Sequence, residues 1–298
     1  MVANKQLPVY DIEEFRYLGA ESNFYANTFK AHLKQHHHFI LAPHRHDFYV
    51  GMLFTKGSGT HQIEFKNYDI KPGHVFMIAP GEVHDWNPSA DADGYIFFHT
   101  KDFFDLNFTY EKVDNYAFYC CLRNNPLIPL KEKSRNRINE IFSEIVYEYK
   151  HTELLKFQKL SSLINVLYIE LSRIYLPDKL LQTQNLHYLG KLKQLEQLID
   201  KHFTDHKYPK DYASLMHVSE KHLNRICKTC LNKTLTQLIT DRIVLEAKRR
   251  LTFTKSTVSQ IAAELGYSNT SYFIRLFKKK TGKTPVEFLQ NSGGLLHK

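Results

Sequence analysis

Short apolar and aromatic runs alternate with turn residues over the first 100 positions of the chain. Runs such as FYVGMLFT, THQIEF and HVFMIAPG are separated by KGSG, KNYD and IKPG. Runs of about four to eight β-forming residues between such turns are typical of short antiparallel strands. The pattern therefore predicts an antiparallel β-barrel or β-sandwich in the N-terminal part of the chain.

The hydrophobic period changes to that of helices from residue 131 onward. Apolar positions recur three and four residues apart in two stretches: Ile138, Ile141, Phe142, Ile145 and Tyr149, then Leu160, Leu163, Ile164, Leu167 and Leu171. They predict two amphipathic helices after the barrel. A polar, Pro-containing segment follows, and beyond it the pattern is helical nearly to the end. We predict an α+β chain with a barrel domain and N-terminal arm (1–130), a helical segment (131–176), a linker (177–190) and an all-α domain (191–298).

Composition narrows the class of protein. A chain of 298 residues suggests two domains at about 150 residues each. Four cysteines are too few for a disulfide scaffold and favour a reducing compartment. The first residues lack a secretory signal pattern, and no apolar run approaches the roughly 18 residues of a membrane span. These features predict a cytoplasmic protein that has no membrane partner.

Charge is divided unevenly along the chain. Residues 1–190 carry a net charge of −2, whereas residues 191–298 carry +11. This asymmetry predicts a C-terminal module that binds a polyanion, most often nucleic acid or an anionic membrane surface. The alternative is that the lysines only keep the domain soluble.

Residues 257–285 have the pattern of a helix-turn-helix unit. A short helix with four apolar positions is followed by Gly266, which can turn the chain, and by Ser268 or Asn269 as a helix cap. The predicted buried positions are Val258, Ile261, Ala262 and Leu265 on the first helix, and Tyr272, Phe273, Leu276 and Phe277 on the second. Basic and small polar residues then face outward, as on a recognition helix.

Residues 211–234 repeat this pattern. Ser219 is the predicted cap, and the apolar positions are Ala213, Leu215, Met216 and Val218, then Leu223, Ile226 and Cys227. Arg225 and Arg275 stand fifty residues apart in matching places. Two units joined by a rigid helix over 235–251 could present both recognition helices to major-groove segments about 34 Å apart.

The run IAAELGYSNTSYFIRLFKKKTGKTP, residues 261–285, closely resembles the signature of the AraC/XylS-type bacterial transcription regulators. The first unit is a looser match, with His217 where the turn usually carries Gly, Cys227 where Phe is usual, and Asn232 where Gly usually ends the helix. Because a left-handed conformation is costly for a residue with a Cβ, we expect His217 to strain the first turn.

The resemblance implies sequence-specific binding to double-stranded promoter DNA by a transcription activator, with RNA polymerase as a further candidate partner. The candidates for reading base edges are Lys221, Asn224, Arg225, Thr270, Ser271 and Arg275. Arginine suits guanine and asparagine suits adenine, which is why these types fit the role. The candidates for phosphate contacts are Ser219, Lys228, Asn269, Lys278, Lys279 and Lys280. For each lysine the alternative is a solvated face.

The histidine-rich N-terminal part resembles the cupin-like sensor domain of the same family. The similarity rests on His44-x-His46, Gly57-x-Gly59, Lys71-Pro72-Gly73 and Pro80-Gly81-x-x-His84. The resemblance implies a small-molecule effector and no cofactor. It places His44, His46, His84 and Trp86 in the effector pocket.

Metal binding is the rival use of these histidines, and it would make the protein a metal-dependent cupin enzyme fused to a DNA-binding domain. Metal-binding cupins add a Glu about four residues after the second His, where this chain has Val50 or Gly51. Since that carboxylate is missing, we predict no metal and no enzyme activity. A third hypothesis is a ligand-independent regulator, which a side-chain-filled barrel interior would favour.

Three further features have two interpretations each. Trp86 either stacks on a ligand or fills the core, and His36, His37 and His38 form an exposed run or a fortuitous chelating surface. Cys227 and Cys230 are predicted to be a structural pair in a helix, and the alternative is a redox switch. The leucine stripe of residues 160–171 is either a homodimer seam, which we favour, or the face packed on the barrel.

Overall fold

A computed structural model describes residues 7–15, 23–40, 42–108, 111–119, 125–176 and 183–292. The chain divides into two compact units, of which the first spans Leu7–Gln182 and the second begins at Thr183. Two of the four cysteines, Cys120 and Cys121, and residues 177–182 of the predicted linker (177–190) lie outside the described residues, and a helix already begins at Thr183.

Two antiparallel sheets form the N-terminal part of the first unit. The strands are β1 (Val9–Tyr10), β2 (Phe24–Thr28), β3 (Arg45–His46), β4 (Tyr49–Lys56), β5 (Gly59–Ile63), β6 (Lys66–Ile70), β7 (His74–Ile78), β8 (His84–Pro88), β9 (Asp93–His99) and β10 (Leu127–Pro129). One sheet has the order β10-β7-β4-β9-β2 and the other the order β6-β5-β8, while β1 pairs with β3 in parallel. The predicted α+β class with antiparallel strands is confirmed, but among the described residues the strands form separate sheets and do not close into a continuous barrel.

The inner faces of both sheets share one aromatic-rich core. Val50, Phe54 and Phe76 of the larger sheet pack with Ile63 and other residues of the smaller one. Period-two alternation places these side chains inside, because successive residues of a strand point to opposite faces.

Two long helices cover the outer face of the five-stranded sheet. The helices of the first unit are α1 (Phe29–Ile40), α2 (Lys101–Asp105), α3 (Glu132–Lys150) and α4 (Lys156–Tyr175). Of the α4 stripe, four side chains are completely buried and share a core with the sheet and α3: Leu160, Ile164, Leu167 and Leu171. Burying each contributes about 1.5–3 kcal/mol. The preference for a dimer seam at this stripe is therefore wrong, since the chain's own fold covers it.

The second unit is all-helical, as predicted. It contains α5 (Thr183–His202), α6 (Pro209–Leu215), α7 (Glu220–Leu231), α8 (Leu235–Phe253), α9 (Val258–Glu264), α10 (Thr270–Thr281) and α11 (Pro285–Ser292). The pairs α6–α7 and α9–α10 are the two helix-turn-helix units, and α8 connects them. In the part of the chain that the structure describes, every helix is too short or too polar to cross a membrane.

Candidate functional site

The turn of the second helix-turn-helix unit depends on Gly266. Thr257 and Gln260 form a capping box at the start of α9, and Gly266 follows its end with φ 79°. A Cβ at this position would lie 2.0 Å from the Thr204 carbonyl oxygen. Asn269 then caps α10 by accepting the Tyr272 backbone N–H at 2.9 Å. Glycine is therefore required here both by conformation and by close backbone approach.

Helix α10 buries one narrow face and leaves the other residues exposed or half-buried. Phe273 and Phe277 are completely buried, as predicted, but Tyr272 is 52% exposed, which corrects its placement in the apolar stripe. One residue along a helix turns the side chain by about 100°, so Tyr272 cannot share the face of Phe273. Its ring lies 5.9 Å from that of Tyr267. The predicted DNA contacts on this helix that are exposed are Ser271, Arg275, Lys278 and Lys279, and Thr270 is half-buried.

The first helix-turn-helix unit (α6–α7) repeats this geometry with a strained turn. His217 has φ 51°, so the residue that replaces Gly does adopt the left-handed conformation. Ser219 accepts the His222 backbone N–H at 3.2 Å and caps α7. Leu215, predicted to face inward, is 39% exposed, whereas Tyr212 is completely buried in its place. The helical spacing of Tyr212 to Met216 was the available signal for this position.

Asn224 braces α7 of the first helix-turn-helix unit against the connecting helix α8. Its Oδ1 accepts the Leu235 backbone N–H at 2.9 Å, at the start of α8. This amide is one of the four N–H groups that a helix start leaves without an intrahelical partner. In this structure the oxygen that would meet adenine is therefore already bonded.

The other predicted contacts of α7 point outward. Lys221, Arg225 and Lys228 are exposed, and Arg225 donates from Nη2 to His222 Nδ1 at 2.9 Å. Among the described residues, the exposed cations of both recognition helices other than Lys280 form no ion pair with a carboxylate. Lys280 of α10 pairs with Asp241 at 2.9 Å, which leaves its predicted phosphate contact without support. Available positive charge is thus concentrated on the outward faces of α7 and α10, where it can meet phosphates.

Cys227 and Cys230 are buried free cysteines of α7. Burial raises the pKa of the Cys227 thiol to about 12. Because the thiolate is the reactive form, this environment favours the structural interpretation over a redox switch.

Four buried histidines cluster between the two sheets of the first unit. The ring centre of His84 lies 4.3 Å from that of His44, 5.0 Å from His46 and 5.4 Å from His61. The structure therefore brings together the three predicted histidines and adds His61, whose Nε2 is 3.1 Å from His84 Nδ1. The alternation of THQIEF could have indicated that His61 points inward.

A small cavity opens beside this cluster. Tyr10 and Phe15, from the described end of the N-terminal arm, form part of its wall, together with His32, His44, His46, Phe48, Val50, His84, Trp86 and Phe98. The space open to a water centre is about 10 Å³, which accommodates about one water molecule. Trp86 is 5% exposed and packs edge-on against Phe29, so it both lines the cavity and fills core.

The histidines of the cavity are neutral at pH 7. Burial lowers the pKa of His46 and of His61 to about 3, and lowers those of His32, His44 and His84 as well.

Hydrogen bonds assign the tautomers of two of these rings. His44 Nδ1 is 2.9 Å from the Ala42 carbonyl oxygen, and His46 Nδ1 is 2.7 Å from that of Phe48. A carbonyl oxygen only accepts, so each Nδ1 carries the proton and each Nε2 presents a lone pair.

Several polar atoms of the cluster have no hydrogen-bond partner in the described structure: Nε2 of His46, Nε2 of His84 and Nε1 of Trp86. Buried polar atoms are normally paired, so unpaired ones in a cavity wall indicate a missing partner such as water or a ligand. Within the described residues, no group of three or more His, Cys, Asp or Glu side chains is arranged to hold a metal ion.

Known protein families match both parts of the chain. The family model described as an AraC-like ligand binding domain matches residues 29–101, and the one described as a helix-turn-helix domain matches residues 212–291. The fold and both sites thus define a DNA-binding regulator with a ligand-binding domain. The chain belongs to the AraC-type transcription regulators with a cupin-like N-terminal domain, which confirms the resemblance.

Individual relatives are similar over different extents. The chain is 39% identical over 98 residues to the bifunctional transcriptional activator/DNA repair enzyme AdaA of Bacillus subtilis, which is 33% of this chain and 46% of that protein. It is 23% identical to the arabinose operon regulatory protein of Salmonella typhimurium, over 80% of this chain and 83% of the relative. It is also 23% identical to the transcriptional activator RhaS of Escherichia coli, over 85% and 89% respectively.

Proposed function

We propose that the protein is a cytoplasmic transcription activator that binds specific promoter sequences and responds to a small-molecule effector. The observation that carries the DNA-binding half is the pair of helix-turn-helix units with unpaired cations on both recognition helices. We further propose that it acts as a homodimer, with RNA polymerase as a partner, and that it is not an enzyme. Any dimer contact must use a face other than the buried stripe of α4.

Base reading is proposed for side chains that are exposed or, for Thr270, half-buried. Arg225 and Arg275 are the candidates for guanine, and Lys221, Thr270 and Ser271 complete the set. Asn224 is assigned to bracing instead, because its Oδ1 already accepts the Leu235 backbone N–H. The positions that contact phosphates are Ser219, Lys228, Asn269, Lys278 and Lys279.

Substitution of one arginine tests this assignment. Arg275→Ala should weaken binding to a selected DNA site by about 1–3 kcal/mol and relax one base position, because a lost bidentate contact costs that much. The measurement is a binding titration against the selected duplex and against random duplexes. Lys279→Ala is the matched control and should weaken binding to all sequences alike. Equal losses on both kinds of DNA for Arg275→Ala would show that it does not read a base.

The cavity wall supports an effector that is uncharged and carries hydroxyl or similar groups. The described cavity residues carry no formal charge at pH 7, because the histidines are neutral. His44 and His46 present lone pairs, while Trp86 offers an N–H, so the complementary ligand both donates and accepts hydrogen bonds. Since the cavity holds about one water, the wall formed by Tyr10 and Phe15 must move when an effector enters.

The closed interior also supports a second candidate function, that of a ligand-independent regulator. Trp86 is the single tryptophan of the chain, so intrinsic fluorescence reports on the cavity directly. Screening a library of neutral polyols and the matching acids by fluorescence and DNA binding would separate the two. A compound that shifts both signals in the wild type but not in His46→Phe supports the effector, whereas a library without such a compound favours the ligand-independent regulator.

A further inference from the structure

Lys207 lies in the short connection between α5 and α6 and contacts parts of the chain that are far apart in sequence. Its Nζ is 2.6 Å from each of three backbone carbonyl oxygens, those of Phe203, Thr204 and Leu265. Phe203 and Thr204 follow the end of α5, whereas Leu265 ends α9 in the second helix-turn-helix unit. A single ammonium thus connects the carboxy-terminal ends of two helices, where carbonyls lack intrahelical partners and the helix dipole favours a cation.

The backbones that Lys207 joins are in close contact. A Cβ on Gly266 would lie 2.0 Å from the Thr204 carbonyl oxygen and 3.0 Å from Lys207 Nζ. The Tyr267 ring centre lies 5.1 Å from the same nitrogen. The contact is therefore a built junction between the end of α5 and the turn that precedes α10.

The ammonium form of Lys207 has the three N–H donors that three carbonyl oxygens require. Burial lowers the pKa of its amine to about 8, an effect that the nearby Asp205 partly offsets. At pH 7 most molecules therefore keep the ammonium form, which has three N–H donors.

The junction joins the segments that lead into the two recognition helices, since Lys207 precedes α6 and α7, and Leu265 precedes α10. Helix α6 begins at Pro209, two residues after Lys207, and leads directly into α7. On the other side, Leu265 and Gly266 lead into α10. The relative placement of α7 and α10 consequently depends on this junction as well as on the connecting helix α8.

We propose that Lys207 is a positioning residue that sets the spacing at which the two recognition helices read DNA. This inference rests on the proposed DNA recognition and adds a determinant of specificity that touches no base. Without Lys207 each helix-turn-helix unit retains its own DNA contacts. The protein then tolerates changes in the distance between the two contacted DNA segments.

The test compares spacing preference with the affinity of single segments. A binding site is selected from random duplex DNA with the full-length wild type. Duplexes are then made with one or two base pairs inserted or deleted between the contacted segments, and with one segment randomised. Binding is measured for Lys207→Met, Lys207→Arg and, as a matched loss of one exposed lysine, Lys210→Met.

Lys207→Met should reduce discrimination between native and altered spacing by about tenfold, the worth of roughly one hydrogen bond. Its affinity for duplexes with one randomised segment should stay within about twofold of wild type. Lys207→Arg, which retains charge and donors, should restore much of the discrimination, and Lys210→Met should leave it unchanged.

Two results would overturn the role of Lys207: unchanged spacing discrimination, or an equal loss on every duplex including those with one segment. If Lys207→Met fails to fold, Lys207→Gln, whose amide retains two N–H donors, answers the same question. Failure of the wild type to select any sequence would instead count against the proposed function.

Discussion

The turns of the two helix-turn-helix units carry different residues at the equivalent left-handed position. Gly266 has φ 79° and His217 has φ 51°. The glycine is enforced by backbone that would clash with a Cβ, whereas His217 is exposed and meets only the conformational cost. For a residue with a Cβ this cost is about 1–2 kcal/mol.

His217→Gly should therefore raise the free energy of unfolding by about 0.5–1 kcal/mol, after the greater flexibility of Gly in the unfolded chain is subtracted. Gly266→Ala should lower it by at least about 2 kcal/mol, since strain and a clash with Thr204 add together. Urea unfolding with constant slope measures both. A loss of stability in His217→Gly would contradict the explanation by strain.

At the scale of elements, a buried polar chain joins α4 to the larger sheet. His99 Nδ1 lies 2.8 Å from the Thr100 carbonyl oxygen, so its Nε2 accepts from the Tyr168 hydroxyl at 2.5 Å. The Tyr119 hydroxyl lies 2.7 Å from that of Tyr168 and completes the chain. Because Tyr168 donates to the histidine, Tyr119 is the donor in this second bond.

Tyr168→Phe should destabilise the first unit by about 1–3 kcal/mol, because it leaves His99 Nε2 and the Tyr119 hydroxyl without their partner in the protein interior. Tyr147→Phe removes a hydroxyl from a 56% exposed side chain and is the matched control, with little expected change. Thermal and urea unfolding followed by Trp86 fluorescence would measure the difference. Equal effects of both substitutions would show that the chain of hydroxyls contributes nothing to docking α4.

At the scale of the whole molecule, the two units differ in how they respond to acid. The described histidines whose pKa is lowered by burial all lie in the first unit. In the unfolded chain a histidine titrates near its usual pKa of about 6.5. The unfolded state therefore binds more protons than the folded state, and the free energy of unfolding falls as the pH drops from about 6.5 towards 3.

The first unit should lose at least about 2 kcal/mol of stability between pH 7 and pH 5, since His46 alone has a folded pKa of about 3. Urea unfolding at both pH values, followed by the fluorescence of Trp86, provides the measurement. His46→Gln does not titrate at this position and should show a smaller dependence on pH. A stability that stays constant over this range would contradict the buried, neutral state of the cluster.

Local and periodic properties of the sequence determined much of this protein. The switch from period two to period 3.6 predicted the strands and helices, and Ser219, Gly266 and Asn269 marked the turns of the two helix-turn-helix units. The separation of charge indicated which part should meet DNA. These signals are readable because caps, turns and amphipathic faces depend on residues within a few positions of one another.

The tertiary structure alone decided which surfaces and partners these residues use. It assigned the α4 stripe to the sheet, engaged Asn224 with the Leu235 amide, and joined Lys207 to Leu265. It also set His61 against His84. Each of these contacts joins residues that are separated in sequence, and the periodic pattern is the same whether an apolar face meets its own chain or another. Only the path of the folded backbone selects the partner.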